Sequence, residues 1–392
     1  MGATLLERLP AATGELAKML DITMLLSDGY GGIGGIAKFN REFLQALDSC
    51  ACVRQVHALP RLIQRPIDEA IPDSVVYDRR AARGKPAFMR RVAAQALRLA
   101  RINLVISGHI YLLPAAWLLA RLRGARLGLI IHGVDAWKPT PKIAVNRLIR
   151  QVDTFISVSR YSAALFTDWS NVPMERAYII PNCVDLDQFQ PRPRDTSLAK
   201  RYGLEGCKTI LTVGRLASQE QKGFDEAIEL MPRLLARFPN VRYLIVGDGD
   251  DRARLEAKAA KIAPGKVIFA GYIEESEKVA HYSLADAYVM PSRGEGFGIV
   301  LIEAAACGVP VVGSRVDGSR EALLDGRLGR LVDPTSQEEL CAATVAALED
   351  GGRLSAEEVH RRIEQMKSFS IGAFRSRVAD WCHQQALLLS AA

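Results

Sequence analysis

The sequence predicts an α/β protein of two doubly wound, Rossmann-like domains facing a central cleft. The chain has 392 residues, about twice the usual single-domain size. Short β-branched apolar runs alternate with segments of helical periodicity along its whole length, the pattern of wound parallel sheets. Several of those runs are apolar throughout, as strands covered on both faces are.

In the first half the strand-like runs are ITMLLSD (22–28), CVRQVHALP (52–60), NLVISGH (103–109), RLGLIIHG (126–133), TFISVS (154–159) and RAYIIPN (176–182). In the second half they are TILTVG (209–214), VRYLIVGDG (241–249), KVIFAGY (266–272), DAYVMPS (286–292) and VPVVGS (309–314). Helical periodicity lies between them, as in FDEAIELMPRLLARF (224–238), which Pro239-Asn240 ends. QPRPRDTSLAK (190–200) is the least periodic stretch and the expected linker. The division is an N-terminal domain over 1–190, a C-terminal domain over 191–370, and a final helix, 371–392, expected to pack back on the N-terminal domain. Ligands of such sheets bind outside the carboxyl ends of the strands, which puts the expected site in the cleft.

Composition narrows the class. Hydrophobic residues make up 49% and charged residues 24%, an ordinary globular mixture. The seven cysteines are scattered, with no CxxC pair and no zinc-like spacing, so reduced thiols in the cytoplasm are expected. The opening residues carry Glu7 and Glu15 and do not read as a signal peptide. The most apolar stretch, 102–120, is interrupted by Asn103, His109 and Pro114, and reads as strand, turn and helix rather than a membrane span.

Charge is uneven. Residues 1–190 hold 24 Lys/Arg against 16 Asp/Glu, while 191–392 hold 27 against 28. No acid occurs between Asp78 and Asp135, where eleven Arg/Lys do. The first half is therefore expected to meet something anionic, such as a membrane surface, a phospholipid or a nucleic acid. On a helical wheel, 85–101 gathers Arg90, Arg91, Arg98 and Arg101 on one arc. Phe88, Met89, Val92, Ala96, Leu99 and Ala100 fall opposite. The pattern fits a helix on an anionic bilayer and equally a surface helix packed on its own sheet.

The strongest chemical signal is RGEGFGIVLIEAAACGVPVVGS (293–314). Glu295 sits in a Gly-rich turn just past a strand, and the helix that follows should end near Cys307, with Gly308 beyond it. Glu303 is the only charged residue from Gly296 to Ser314, and a carboxylate in so apolar a helix needs hydrogen-bond partners. Backbone N–H groups of the turn and the helix N-terminus suit phosphate or sugar oxygens. Glu303 is placed to accept from ribose hydroxyls, and Glu295 to reach a sugar. In GRLASQEQKG (214–223), Arg215 follows a strand and Lys222 precedes a helix. Two cations at a cleft suit a diphosphate.

These motifs together resemble the retaining glycosyltransferase family 4, of the GT-B fold. HGVDAW (132–137), SVSRYS (157–162) and IPNCVD (180–185) follow the family's landmarks in order. The resemblance covers about 22–350. It implies that Arg215 and Lys222 bind the donor diphosphate, Glu295 the donor sugar and Glu303 the ribose. The backbone of Phe297, Gly298, Ile299 and Val300 would hold sugar and phosphate oxygens. His132 would lie beside the anomeric centre, with His109 a rival of similar context and Asp135 a candidate acceptor contact. It further implies a front-face mechanism in which the departing phosphate takes the acceptor's proton. Two departures stand out: Cys183 replaces the usual Gly after Pro-Asn, and six residues separate Arg215 from Lys222, so that loop must bulge.

In SDGYGGIGGIAKFNREFL (27–44), Gly29, Gly31 and Gly34 fit GxGxxG, but the next strand-like run has no acid for a dinucleotide ribose. Gly34 and Gly35 are better read as flexible backbone that closes over the diphosphate or the acceptor. DGD (248–250) resembles a metal-binding signature, but Arg215 and Lys222 already supply charge there, and Gly249 matches the family's turn near the base. No metal and no cofactor are expected.

The expected reaction moves a hexose, with GDP-mannose favoured over UDP-glucose, to a lipid-linked or glycolipid hydroxyl in surface-polysaccharide assembly. The partners are then a nucleotide-sugar donor, a glycolipid or polyprenyl-diphosphate-linked acceptor and an anionic inner-membrane face, with no nucleic acid. The rival readings are a sugar-nucleotide 2-epimerase, for which no acid/base set around C2 is apparent, and a nucleotide- or RNA-binding module. The latter leaves Glu295 and Glu303 unexplained and lacks interleaved aromatics.

Overall fold

A computed structural model of the chain describes residues 19–98, 100–218, 221–350 and 355–390. The signal-peptide reading falls on residues 1–18, outside these. Seven strands form the first sheet: β1 (Leu20–Leu26), β2 (Val53–Pro60), β3 (Val75–Tyr77), β4 (Leu104–Ser107), β5 (Arg126–Ile131), β6 (Thr154–Ser157) and β7 (Ala177–Ile179). Six form the second: β8 (Thr209–Val213), β9 (Arg242–Val246), β10 (Val267–Gly271), β11 (Ala287–Met290), β12 (Val311–Ser314) and β13 (Arg330–Val332). Their orders are β3-β2-β1-β4-β5-β6-β7 and β10-β9-β8-β11-β12-β13. Every pairing is parallel.

Both orders reverse direction at one point, between β1 and β4 and between β8 and β11. Loops leaving those strands diverge there and open a crevice at the carboxyl ends. Strands β1, β8 and β11 are buried at every position, which is why β11 runs apolar throughout, β8 adds only threonines, and Asp21 and Thr23 of β1 are buried as well.

The structure corrects several expectations. Strands β3 and β13 went unread because each is three residues long between polar or glycine neighbours, whereas the equally short β7 continues into Ile180. The linker 190–200 is shorter than expected, since a helix begins at Thr196 with the Asp195 carboxylate accepting from Leu198 N. The helix expected over 85–101 stops at Ala96. Phe88 and Val92 turn into the core beside the sheet, while Leu97 is 84% exposed. Among the described residues no helix is long and apolar enough to cross a membrane.

The last helix, Ile371–Ser390, crosses back to the first sheet. Trp381 packs on Phe43 with ring centroids 5.9 Å apart, and its Nε1 donates to Thr154 Oγ1 at 3.3 Å. Phe374 meets Phe39 edge-on at 5.5 Å. Truncating a buried aromatic such as Trp381 costs about 3–5 kcal/mol. Phe39 and Phe43 belong to helix Gly35–Asp48, so helix Ile371–Ser390 fastens from behind the helix that carries Gly35 at the cleft.

Candidate active site

After β11 the chain turns through 291–298 and enters helix Ile299–Ala306. Gly298 takes φ +96 at the helix start, a left-handed conformation that a side chain disfavours. Cys307 closes the helix and Gly308 follows at φ +74. The turn is clamped from the loop after β12. Asp317 Oδ2 accepts from Ser292 Oγ at 2.7 Å and from Glu295 N at 3.0 Å, while Gly318 N donates to Glu295 O at 2.9 Å. Burial pushes the Asp317 carboxyl up to about 6, against the pull of those bonds.

The clamp fixes Glu295, whose Oε2 lies 2.9 Å from Lys222 Nζ. The Lys222 stem lies over Gly214, where an added Cβ would come within 3.0 Å of its Cδ. Arg215 is the next residue, exposed at the carboxyl end of β8. Gly249 braces this loop from the other side: its Cβ would meet Leu216 O at 2.0 Å, and Leu216 N donates to Asp248 O. Residues 219 and 220, within the expected bulge, are not described.

Glu303 lies on the same helix, fully buried. Its Oε1 is 2.8 Å from Lys38 Nζ, and its Oε2 accepts from Tyr282 at 3.0 Å and from Lys278 at 3.1 Å. Lys38 and Lys278 each also reach Glu275 at 2.8 Å. Burial works against the Lys38 charge, but Glu303 and Glu275 outweigh it and hold the ammonium above its ordinary range. The same two lysines draw Glu275 down to about 2 in spite of its burial. Around this helix, Phe297 is buried against Phe369, while Ile299 and Val300 are half-buried.

The opposite wall comes from the N-terminal sheet. Gly34 and Gly35 are exposed where helix Gly35–Asp48 begins, with no atom within 4 Å of an added Cβ on either and no acid in the first turn. Such a free N-terminus attracts anions. His132 follows β5; a carbonyl only accepts, so its Nε2–H donates to Gly108 O at 3.0 Å, leaving Nδ1 as an acceptor. Burial, chiefly, pushes His132 down to about 4, so the ring is neutral at pH 7. Asp135 Oδ1 accepts from His132 N, and burial raises its carboxyl to about 7. His109 Nε2 is 3.9 Å from Asp135 Oδ2 and makes no hydrogen bond with it.

The two walls touch. An added Cβ on Gly296 would meet His132 O at 2.1 Å, and one on Gly133 would meet Gly296 Cα at 2.8 Å. Ser162 Oγ donates to Gly296 O at 3.3 Å. Glu321 reaches across to accept from Arg160 N at 2.9 Å and Tyr161 N at 2.7 Å, capping helix Arg160–Ser170 from the other domain. His132 and Glu295 therefore stand on facing walls at the contact.

Sequence reasoning missed Lys38, Lys278, Tyr282, Asp317 and Glu321. Asp317 offered a faint signal, an acid before glycine just past a predicted strand. Lys38 offered none, because its partners arrive more than two hundred residues later.

Two parallel sheets enclosing this cleft are the architecture of the GT-B glycosyltransferases. The chain belongs to glycosyltransferase family 4: residues 33–188 match the model described as Glycosyltransferase Family 4, and residues 207–350 match Glycosyl transferases group 1. The GDP-mannose-dependent alpha-(1-6)-phosphatidylinositol monomannoside mannosyltransferase of Mycolicibacterium smegmatis is 34% identical over 61% of this chain and 65% of its own length. The phosphatidyl-myo-inositol mannosyltransferase of the same organism is 39% identical over 48% of this chain and 47% of its own. The chain thus spans less than two thirds of the length of either relative. In fold it is similar to sucrose-phosphate synthase from Thermosynechococcus elongatus, with a TM-score of 0.76 and 21% identity over 95% of this chain and all of that one.

Proposed function

We propose that the protein is a retaining, metal-independent hexosyltransferase that moves mannose from GDP-mannose to a hydroxyl of a lipid-linked or glycolipid acceptor at the cytoplasmic face of a membrane. The observation that carries the reading is the convergence of Lys222 on Glu295, at the start of the helix that holds buried Glu303. A nucleoside diphosphate sugar would lie along that line. Arg215 and Lys222 would take the diphosphate, whose charge grows as the glycosidic bond breaks. Glu295 would take sugar hydroxyls, and Glu303 the ribose. Backbone N–H groups of Phe297, Gly298, Ile299 and Val300, with those at Gly34 and Gly35, would complete the oxygen contacts. Gly249 would keep the wall near the base free of side chain.

Neutral His132 offers the sugar an acceptor nitrogen without placing a second cation beside a carbon that gains positive charge. The departing phosphate then takes the acceptor's proton as the new bond forms on the same face. Closure of the two walls would limit hydrolysis of the donor. The similarity to a GDP-mannose-dependent mannosyltransferase and to a phosphatidyl-myo-inositol mannosyltransferase supports mannose, GDP and a phosphatidylinositol-type acceptor.

The test is turnover of GDP-mannose and UDP-glucose, each with chelator and with lipid extract as acceptor, reading product anomers by NMR. Faster GDP release with extract, a product that keeps the donor's anomeric configuration and indifference to chelator are expected. UDP-glucose turnover alone would move the donor assignment. An altered sugar without acceptor would indicate an epimerase.

A further inference from the structure

Three thiols scattered in the sequence meet where the last helix returns to the first sheet. Cys50 and Cys52 sit in the turn between helix Gly35–Asp48 and β2. Cys382 comes from helix Ile371–Ser390, next to the Trp381 that packs on Phe43. The Cys382 thiol is within hydrogen-bond reach of both Cys50 and Cys52. The turn is pinned by its backbone: Val53 N donates to Cys50 O at 3.0 Å, and Leu20 N donates to Cys52 O at 2.7 Å.

The three differ in kind. Cys50 is buried, and its Sγ lies 3.0 Å from Ala46 O; a carbonyl only accepts, so the Cys50 proton is engaged there. Cys382 is fully buried in the same core cluster. Cys52 is half-buried, so it is the member of the group that a small solute reaches. Cys382 has one S–H to give, and with Cys50 holding its own proton, Cys52 is the thiol that ionises. The hydrogen bond from Cys382 draws Cys52 down to about 7 against the opposing effect of burial. The same hydrogen bonds, with burial, hold Cys382 well above the ordinary thiol range. Burial pushes the lone thiols of Cys183 and Cys307 up to about 12 and leaves them inert.

An accessible thiolate with a protonated thiol beside it is the arrangement that reversible oxidation requires. We propose that Cys52 and Cys382 are a redox pair: a hydroperoxide oxidises Cys52, and the disulfide it then forms with Cys382 locks helix Ile371–Ser390 onto the N-terminal sheet. With hydrogen peroxide, the Cys52 thiolate attacks one oxygen, an S–O bond forms, the O–O bond breaks and hydroxide leaves. Hydroxide takes up the proton that Cys52 had released and becomes water. The Cys382 sulfur then attacks the sulfenic sulfur of Cys52; the S–S bond forms, the S–O bond breaks, and the oxygen leaves with the Cys382 proton as a second water. Two thiols lose two electrons and two protons, and the peroxide gains both. A dithiol reductant reverses the bond. None of this depends on the donor reading.

The experiment treats wild type, Cys52→Ser, Cys382→Ala and Cys207→Ser with hydrogen peroxide. Free thiols are then blocked with iodoacetamide, and peptides are mapped by mass spectrometry without reductant. A Cys52–Cys382 peptide pair lighter by two hydrogen atoms is expected in wild type and in Cys207→Ser, cleared by dithiothreitol and absent from the other two variants. In Cys382→Ala, dimedone should label Cys52 as the sulfenic acid, and its alkylation at pH 7 should slow roughly threefold, the balance of a smaller thiolate fraction and a stronger nucleophile. Oxidation should raise the melting temperature of wild type by roughly 5 °C and leave that of Cys52→Ser unchanged. A cross-link through Cys50 instead, or oxidation spread equally over the half-buried Cys52, Cys207 and Cys341, would overturn the pairing. A wild-type melting temperature unmoved by the cross-link would overturn the lock.

Discussion

Lys38 of the N-terminal domain and Glu303 of the C-terminal domain form an ion pair of 2.8 Å across the cleft. With Lys278 and Tyr282, Lys38 brings four hydrogen bonds onto one carboxylate. That number matches the lone-pair sites a carboxylate offers. A ribose hydroxyl can donate to Glu303 only after one of these donors leaves, and Lys38 is the one supplied by the opposite wall. Substituting Lys38→Met is expected to tighten GDP binding roughly tenfold, the scale of one charge-assisted hydrogen bond. Calorimetry reads this directly. Weaker binding would mean that Lys38 contributes to the nucleotide site instead.

Asp317 gives the site an acid limit. Burial pushes its carboxyl up to about 6, and the ionised form accepts the Ser292 O–H and Glu295 N–H bonds that hold the turn. Activity should therefore fall as pH drops through about 6, well above the value of about 4 at which His132 would charge. Asp317→Asn should remove that limb and lower kcat/KM at neutral pH. The stability effect runs the other way. A carboxyl raised by burial binds its proton more tightly folded than unfolded, so its contribution is largest below the ordinary aspartate value of 3.8 and declines as pH rises to about 6. A limb that persists unchanged in the Asn variant would assign it to another group.

Glu321 caps a helix of the facing domain. Removing such a cap costs about 1 kcal/mol, and here the loss falls on the closed arrangement rather than on either domain alone. Glu321→Ala should raise the radius of gyration in small-angle scattering and lower kcat/KM by about fivefold, with little change in melting temperature. An equal drop in melting temperature would show that the contact serves folding instead.

Much of this was legible in the sequence, for identifiable reasons. Strands such as β8 and β11 announce themselves because burial on both faces demands short runs of apolar and β-branched residues without charges. Glu303 stands out as a lone carboxylate in an apolar helix, and Arg215 and Lys222 mark two ends of one loop. The rest depends on distance in the chain. Nothing local to Lys38 tells of Glu275 and Glu303. The helix over 85–101 kept its periodicity on paper after the backbone had left it at Leu97, and that exit lets Arg98 reach His57. Strands β3 and β13 are three residues each, and without apolar neighbours such as the Ile180 that extends β7 they show no run to read.

The central claim is that Arg215 and Lys222 together hold the diphosphate of a nucleotide sugar against Glu295. Calorimetric titration of GDP-mannose into wild type, Arg215→Ala, Lys222→Ala and the double variant tests it most directly. One site per chain in the wild type is expected, with affinity falling roughly tenfold or more in each single variant and about a hundredfold in the double, as lost charge-assisted bonds imply. Undiminished binding in the double variant would contradict the account.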